Sequence, residues 1–262
     1  MHGTSLALLL ACACAAVGCA HATAPRCVLA GRTGMHAHND YNHPRPLLDA
    51  LEAGAISVEA DVFLQDGVLL VGHDRSQLTA ARSLESLYLA PLYPRWRAGG
   101  APVPAGCGGR LWLLIDVKAE PEASQRALAR LLARYRPLLR VVRVVISGER
   151  DKPGVMRDPE VLAGYDGRVL EREDAVPAVR MPLVSEQWSR LFSWTGQGEM
   201  PAQERARLLS IVAVVHAQGR KLRFWATPDE PKLWRELVLA GVDFINTDSL
   251  QALRHFLRGQ QP

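Results

Sequence analysis

The sequence predicts a single-domain (β/α)8 barrel of the TIM type over residues 30–259. Three observations carry this. Short apolar runs, about eight of them, alternate with amphipathic stretches along the 262-residue chain. Those runs are continuous in Val, Leu and Ile rather than alternating, as strands of a parallel sheet buried on both faces must be. No Gly-rich nucleotide loop follows any of them, which makes a doubly wound open sheet the second choice. With 48% hydrophobic and 22% charged residues the chain suits one globular domain with a sizeable core. Its net charge of +4 is spread along the sequence, so no nucleic-acid groove is expected, although anions are mildly favoured near the surface.

The chain opens on an apolar, uncharged run, Leu6–Ala20, followed by the polar stretch His21–Arg26. It is short for a membrane span of about 20 residues and reads as a signal segment over residues 1–24, with small-residue cleavage options at Ala22 and Ala24. Ala16-Val17-Gly18-Cys19 also matches a bacterial lipobox, which would lipidate Cys19 and attach the protein to a membrane. Both readings predict an exported protein: periplasmic, secreted or lipid-anchored to a bacterial membrane. In that setting Cys27 and Cys107 could close a disulfide or stay unpaired; neither has neighbours at zinc spacing.

Strands are expected at Gly34–His38, Ile56–Phe63 with Val68–Gly72, Leu111–Val117, Val141–Ser147, Arg168–Leu170, Pro182–Glu186, Leu222–Ala226 and Phe244–Thr247. Helices are expected at Pro46–Ala53, Glu122–Leu139, Pro201–Gln218 and Pro231–Ala240. In the second helix Ala127, Leu128, Leu131, Leu132 and Tyr135 share one side, with Arg126, Arg130 and Arg134 on the other.

The chemistry concentrates in two segments. Alternate strand residues share a face, so Glu59 and Asp61 of V-E-A-D-V point the same way. Two carboxylates side by side in an apolar strand need a cation between them, a metal ion or a neighbouring arginine. Asp116 and Lys118 of L-L-I-D-V-K repeat the spacing: a third oxygen ligand with a charge for phosphate, or simply a pair with each other. Hard oxygen ligands suit one divalent cation, Mg2+ or Ca2+. His36 and His38 also share a face, and His73 follows the hairpin turn Gln65-Asp66-Gly67. Histidines ending separate strands beside paired carboxylates suit an acid and a base. Trp188 and Trp225, at other strand ends, either line a pocket or belong to the core.

These motifs together resemble the superfamily of glycerophosphodiester phosphodiesterases and phosphatidylinositol-specific phospholipases C. The likeness is to its branch carrying H-x-H-N-D-Y and S-V-E-A-D-V, as in the fungal altered-inheritance-of-mitochondria proteins. It covers residues 34–74 tightly, 111–118 well, and G-V-D-F-I-N-T-D at 241–248; roughly 140–220 contributes little. The resemblance implies a TIM barrel, with His38 and His73 catalytic and Glu59, Asp61 and Asp116 holding the metal. It further implies Lys118 against the phosphate; Asn39 and His36, beside His38, and Trp225, at its strand end, are expected as substrate contacts. Where the family usually has H-R-G, this chain has His38-Asn39-Asp40, so an arginine contact to phosphate is missing; sphingomyelinase-D-like members also carry Asn there. The expected activity is metal-dependent hydrolysis or cyclisation of a small-molecule or lipid phosphodiester. The rival is a non-catalytic lipid- or polyol-binding lipoprotein on the same barrel.

Overall fold

The structure is a computed structural model that describes residues 28–260 apart from 100–102, 104–106, 108 and 172. In chain order its elements are β1 (Gly34–Ala37), α1 (Leu48–Ala53), β2 (Ser57–Gln65), β3 (Val68–Val71), α2 (Ala90–Arg97), β4 (Leu111–Val117) and α3 (Pro121–Arg134). Then come β5 (Val142–Gly148), α4 (Lys152–Arg157), β6 (Gly164–Arg168), β7 (Leu183–Gln187), α5 (Trp188–Leu191) and α6 (Ala202–Ala217). The chain closes with β8 (Lys221–Trp225), α7 (Pro231–Ala240), β9 (Phe244–Thr247) and α8 (Leu250–Arg258). Parallel pairing runs β1-β2-β4-β5-β6-β7-β8-β9 and returns from β9 to β1, a closed eight-stranded barrel. β3 hangs antiparallel on the end of β2.

The β2–β3 hairpin carries a cleft residue to the barrel mouth. Gln65 pairs with Val68, leaving Asp66 and Gly67 as a two-residue turn with φ of 50° and 80°. Asp-Gly suits a turn with two left-handed residues, and its twist matches the strands. The return strand then delivers His73 beside Asp61, with Gly72 N–H donating to Asp61 O at 3.1 Å.

Packing divides the barrel by depth. Leu114, Val145, Leu183 and Phe244 form a small apolar plug inside, with Trp112 edge-on to Phe244. The larger core lies between strands and helices. Above the plug the barrel interior is polar, with His36, Ser57, Glu59, Asp166, Ser185 and Arg223 all buried.

Two expected elements differ from the structure. The strand expected at Arg168–Leu170 is β6, two to four residues earlier, because Gly164-Tyr165-Asp166-Gly167-Arg168 points polar residues into the barrel and shows no apolar run. The helix expected to reach Leu139 ends at Arg134, and residues 136–140 form a tight turn instead. Pro137 has no N–H to donate and its ring crowds the preceding turn. Helices α2, α4, α5 and α8 go beyond the expected set. The expected signal segment and Cys19 lie outside the described residues, as does Cys27; Cys107 is disulfide-bonded. Among the described residues no helix is long and apolar enough to cross a membrane.

Candidate metal and acid–base site

The C-terminal ends of the barrel strands form a cleft of about 340 Å³ lined by His38, Asn39, Glu59, His73, Asp116, Lys118, Ser147, Gly148, Arg168, Arg223 and Trp225. Eight-stranded barrels offer their reactive groups at this face. Parallel register sets Asp61 opposite Asp116 across β2 and β4, which brings the two carboxylate motifs to one height. One oxygen each from Glu59, Asp61 and Asp116 lies within 4.8 Å of the others.

Each carboxylate is balanced differently. Glu59 accepts from Arg223 Nη1 at 2.5 Å and from His36 Nε2 at 2.8 Å. Burial pushes its carboxyl up, but the Arg223 charge and the His36 bond outweigh it and hold Glu59 well below the usual carboxylate range. Asp61 is buried, and its Oδ2 gathers Lys118 Nζ at 2.8 Å, the Tyr41 hydroxyl at 2.8 Å and His73 Nδ1 at 3.1 Å. Its Oδ1 is buried with no hydrogen-bond partner among the described residues. Asp116 accepts from Lys118 at 2.9 Å, yet burial and the Glu59 charge push its carboxyl up to about 6. Burial works against the Lys118 charge, but Asp116 and Asp61 outweigh it and hold the ammonium above its ordinary value.

These residues fit a hard divalent cation. The donors are all carboxylate oxygens, and the orphaned Asp61 Oδ1 is an acceptor whose burial alone costs about 1–3 kcal/mol. Gly148 completes the fit: a Cβ there would collide with Asp116 Oδ1 and stand 2.5 Å from Val117 O, at a φ of +66°. Only glycine lets β5 pass so close to this ligand.

The two cleft histidines are fixed in the same way. His38 Nδ1 donates to Asp248 Oδ1 at 2.8 Å and His73 Nδ1 donates to Asp61. Each imidazole thus keeps Nε2 for substrate protons; His38 Nε2 stands 3.9 Å from Glu59 Oε1. Asn39, in a left-handed conformation at φ 46°, places its Oδ1 2.8 Å from the Tyr41 hydroxyl and lines the cleft. Trp225 lines it too, whereas Trp188 is core, stacked on Phe192.

His36 is the correction. Expected as a substrate contact, it is fully buried below the cleft, between Ser57 Oγ at 2.7 Å and Glu59. It sits two residues back along β1 from His38, hence one layer deeper in the barrel. Burial, helped by the Arg223 charge, lowers its pKa to about 4. Sequence reasoning also missed Tyr41, Arg168, Arg223 and Asp248. Asp248 closes the quoted N-T-D motif; Arg223 gave no signal, because its Glu59 partner is 164 residues away.

Comparisons with known proteins bear on the family and the fold. Residues 30–96 match the family described as AIM6-like phosphodiesterase domain, and residues 221–251 match the glycerophosphoryl diester phosphodiesterase family. The altered inheritance of mitochondria protein 6 homolog of Arthroderma benhamiae is 28% identical over 85% of this chain and 83% of its own length. Altered inheritance of mitochondria protein 6 of Eremothecium gossypii is 29% identical over 86% of this chain and 69% of its own. A glycerophosphodiester phosphodiesterase of Parabacteroides distasonis shares the fold, with a TM-score of 0.59 at 20% identity over 87% of this chain and 98% of its own. The chain resembles the glycerophosphodiester phosphodiesterase superfamily in its AIM6-like branch. These relatives overturn one expectation. They are fungal proteins, not exported or lipid-anchored bacterial ones, so the periplasmic, secreted and Cys19-anchored readings are withdrawn. A run of small apolar residues with cysteines satisfies a lipobox by composition alone.

This geometry has two measurable consequences. In a histidine-labelled sample, nitrogen NMR shows one imidazole that stays neutral down to about pH 4, and its signal disappears in His36→Asn. Because the folded pKa lies below the unfolded 6.5, this group lowers stability as pH falls from 6.5 towards 4, by up to about 3 kcal/mol. A His36 that titrates near 6.5 contradicts the burial argument. In denaturant unfolding, Gly148→Ala costs more than about 1 kcal/mol and more than Gly67→Ala, which strains φ but meets no atom within 4 Å. Equal losses would show that the approach to Asp116 is not what requires glycine.

Proposed function

We propose that this chain is a divalent-metal-dependent phosphodiesterase acting on a glycerophosphodiester or phospholipid-type substrate, a small molecule or a lipid. One observation supports it most. Two imidazoles, each tied through Nδ1 to a carboxylate, approach different members of one carboxylate cluster in a single cleft. A lone base could activate water, but a pair suits in-line displacement at phosphorus.

In this reading Glu59, Asp61 and Asp116 hold Mg2+ or Ca2+, which would polarise a phosphoryl oxygen when bound. His38 and His73 divide the proton work. Nε2 of one accepts the proton of the attacking hydroxyl as its oxygen bonds phosphorus; Nε2 of the other delivers a proton to the departing alcohol oxygen. Asp248 and Asp61 fix the ring orientations and favour each imidazolium as it forms. Lys118 offsets charge on the phosphoryl oxygens, and Asn39 and Trp225 contact the substrate. The nucleophile is water, or a neighbouring substrate hydroxyl already held close, giving a cyclic product.

Calorimetry tests the cation. The wild type binds Mg2+ or Ca2+, and Asp61→Asn weakens it beyond the roughly 10–100-fold that loss of an outer partner costs. Full activity in chelator would end the metal reading. Phosphorus NMR against a panel of glycerophosphodiesters and lysophospholipids tests the chemistry. His38→Ala and His73→Ala each lose about 10²–10⁴-fold in turnover while keeping fold and cation. A His73→Ala protein turning over at the wild-type rate would remove it from the mechanism.

A further inference from the structure

Arg168 ends β6, and β6 lies four strands from β1 whichever way the barrel is followed, so Arg168 faces His38 across the mouth. It lines the cleft with the acid–base groups, yet it is not part of the carboxylate cluster. The other two cationic walls are committed there: Arg223 to Glu59, and Lys118 to Asp61 and Asp116. Arg168 has its own counter-ion in Asp166, 2.6 Å from Nη1.

The support beneath it is built and buried. Asp166 Oδ2 also accepts from Ser147 Oγ at 2.9 Å and Ser185 Oγ at 2.5 Å, and Ser147, Asp166 and Ser185 are all buried. Nη1 carries the anchoring bonds, to Asp166, Gly167 O and Ser185. Among the described residues Nη2 makes only a 3.5 Å contact to Ser147 Oγ. A guanidinium fork held along one edge keeps donors on the other. An ion pair buried in a barrel is poor value for stability alone, so this side chain's position calls for a ligand.

With the reacting phosphate at the carboxylate cluster, the rest of the substrate extends towards β5, β6 and β8, whose cleft residues include Ser147, Arg168 and Trp225. We propose that Arg168 is a specificity-determining residue that donates through its free edge to a hydroxyl oxygen on the substrate's alcohol portion. Because Asp166 already balances its charge, the partner is a neutral oxygen rather than a second anion. A cationic group at that end meets the guanidinium and is disfavoured. This inference rests on the phosphodiester reading.

The test is calorimetry on Mg2+-loaded protein with three probes: glycerol 3-phosphate, ethyl phosphate lacking the hydroxyls, and phosphocholine. The wild type binds glycerol 3-phosphate about tenfold or more tighter than either other probe, the scale of one charge-assisted hydrogen bond. Arg168→Met brings glycerol 3-phosphate to within about twofold of ethyl phosphate, whose own affinity is unchanged. Should that variant fail to fold, Arg168→Lys, which keeps the Asp166 pair without the fork, loses most of the same preference. A wild type that binds all three probes equally overturns the inference and leaves the phosphodiester reading standing. So does a folded variant that keeps the preference, or one that loses both probes equally, since Arg168 then holds the phosphate or the barrel. A wild type that binds no probe yet turns over the glycerophosphodiester panel overturns this inference alone; one that does neither, with or without cation, removes the phosphodiester reading and this inference with it.

Discussion

The constraint on which the barrel mouth depends is the gathering of buried Glu59 and Asp61 with half-buried Asp116 within one small volume. Like charges so close in a poorly solvated site cannot all stay ionised unless cations stand among them. The chain supplies two from distant strands: Arg223 rises from β8 to Glu59, and Lys118 bridges Asp61 and Asp116 from the end of β4. Much else follows from serving that cluster. His36 and Ser57 support Glu59 from below, Tyr41 and His73 close on Asp61, and Gly148 gives way so that Asp116 fits.

Barrel layering assigns roles to residues that look equivalent in sequence. His36 and His38 share a strand face, but two residues along a strand shift a side chain by about 6–7 Å. That step separates a desolvated imidazole whose neutral form is held among polar partners from a cleft imidazole paired with Asp248. The same step on β8 separates Arg223, locked under the cleft to Glu59, from Trp225 at the rim. On β2 it separates Glu59 from Asp61, and here both steps are used, so the carboxylate cluster spans two layers.

Local patterning made much of this legible. V-E-A-D-V placed two carboxylates on one face, Asp66-Gly67 announced the hairpin that returns His73, and L-L-I-D-V-K put Asp116 and Lys118 together. That last pair does bond to each other, and Asp116 also joins the carboxylate cluster. What stayed hidden depends on barrel closure. Nothing near Arg223 in sequence indicates Glu59, and nothing near His38 indicates Asp248, 210 residues on. β6 was misplaced because its inward residues, Asp166 and Arg168, are polar, and a strand that serves the cleft shows no apolar run.

The charge count explains why a cation suits this mouth. Three cluster carboxylates face two committed cationic side chains, a single net negative charge; the Arg168–Asp166 pair adds none. A divalent cation would turn that excess into one positive charge, and the proton that one of the two proposed imidazoles carries would add another. A phosphodiester monoanion would then enter a site of opposite sign. Asp116, whose carboxyl is pushed up to about 6 by burial and the Glu59 charge, marks where such a cation would relieve the most repulsion.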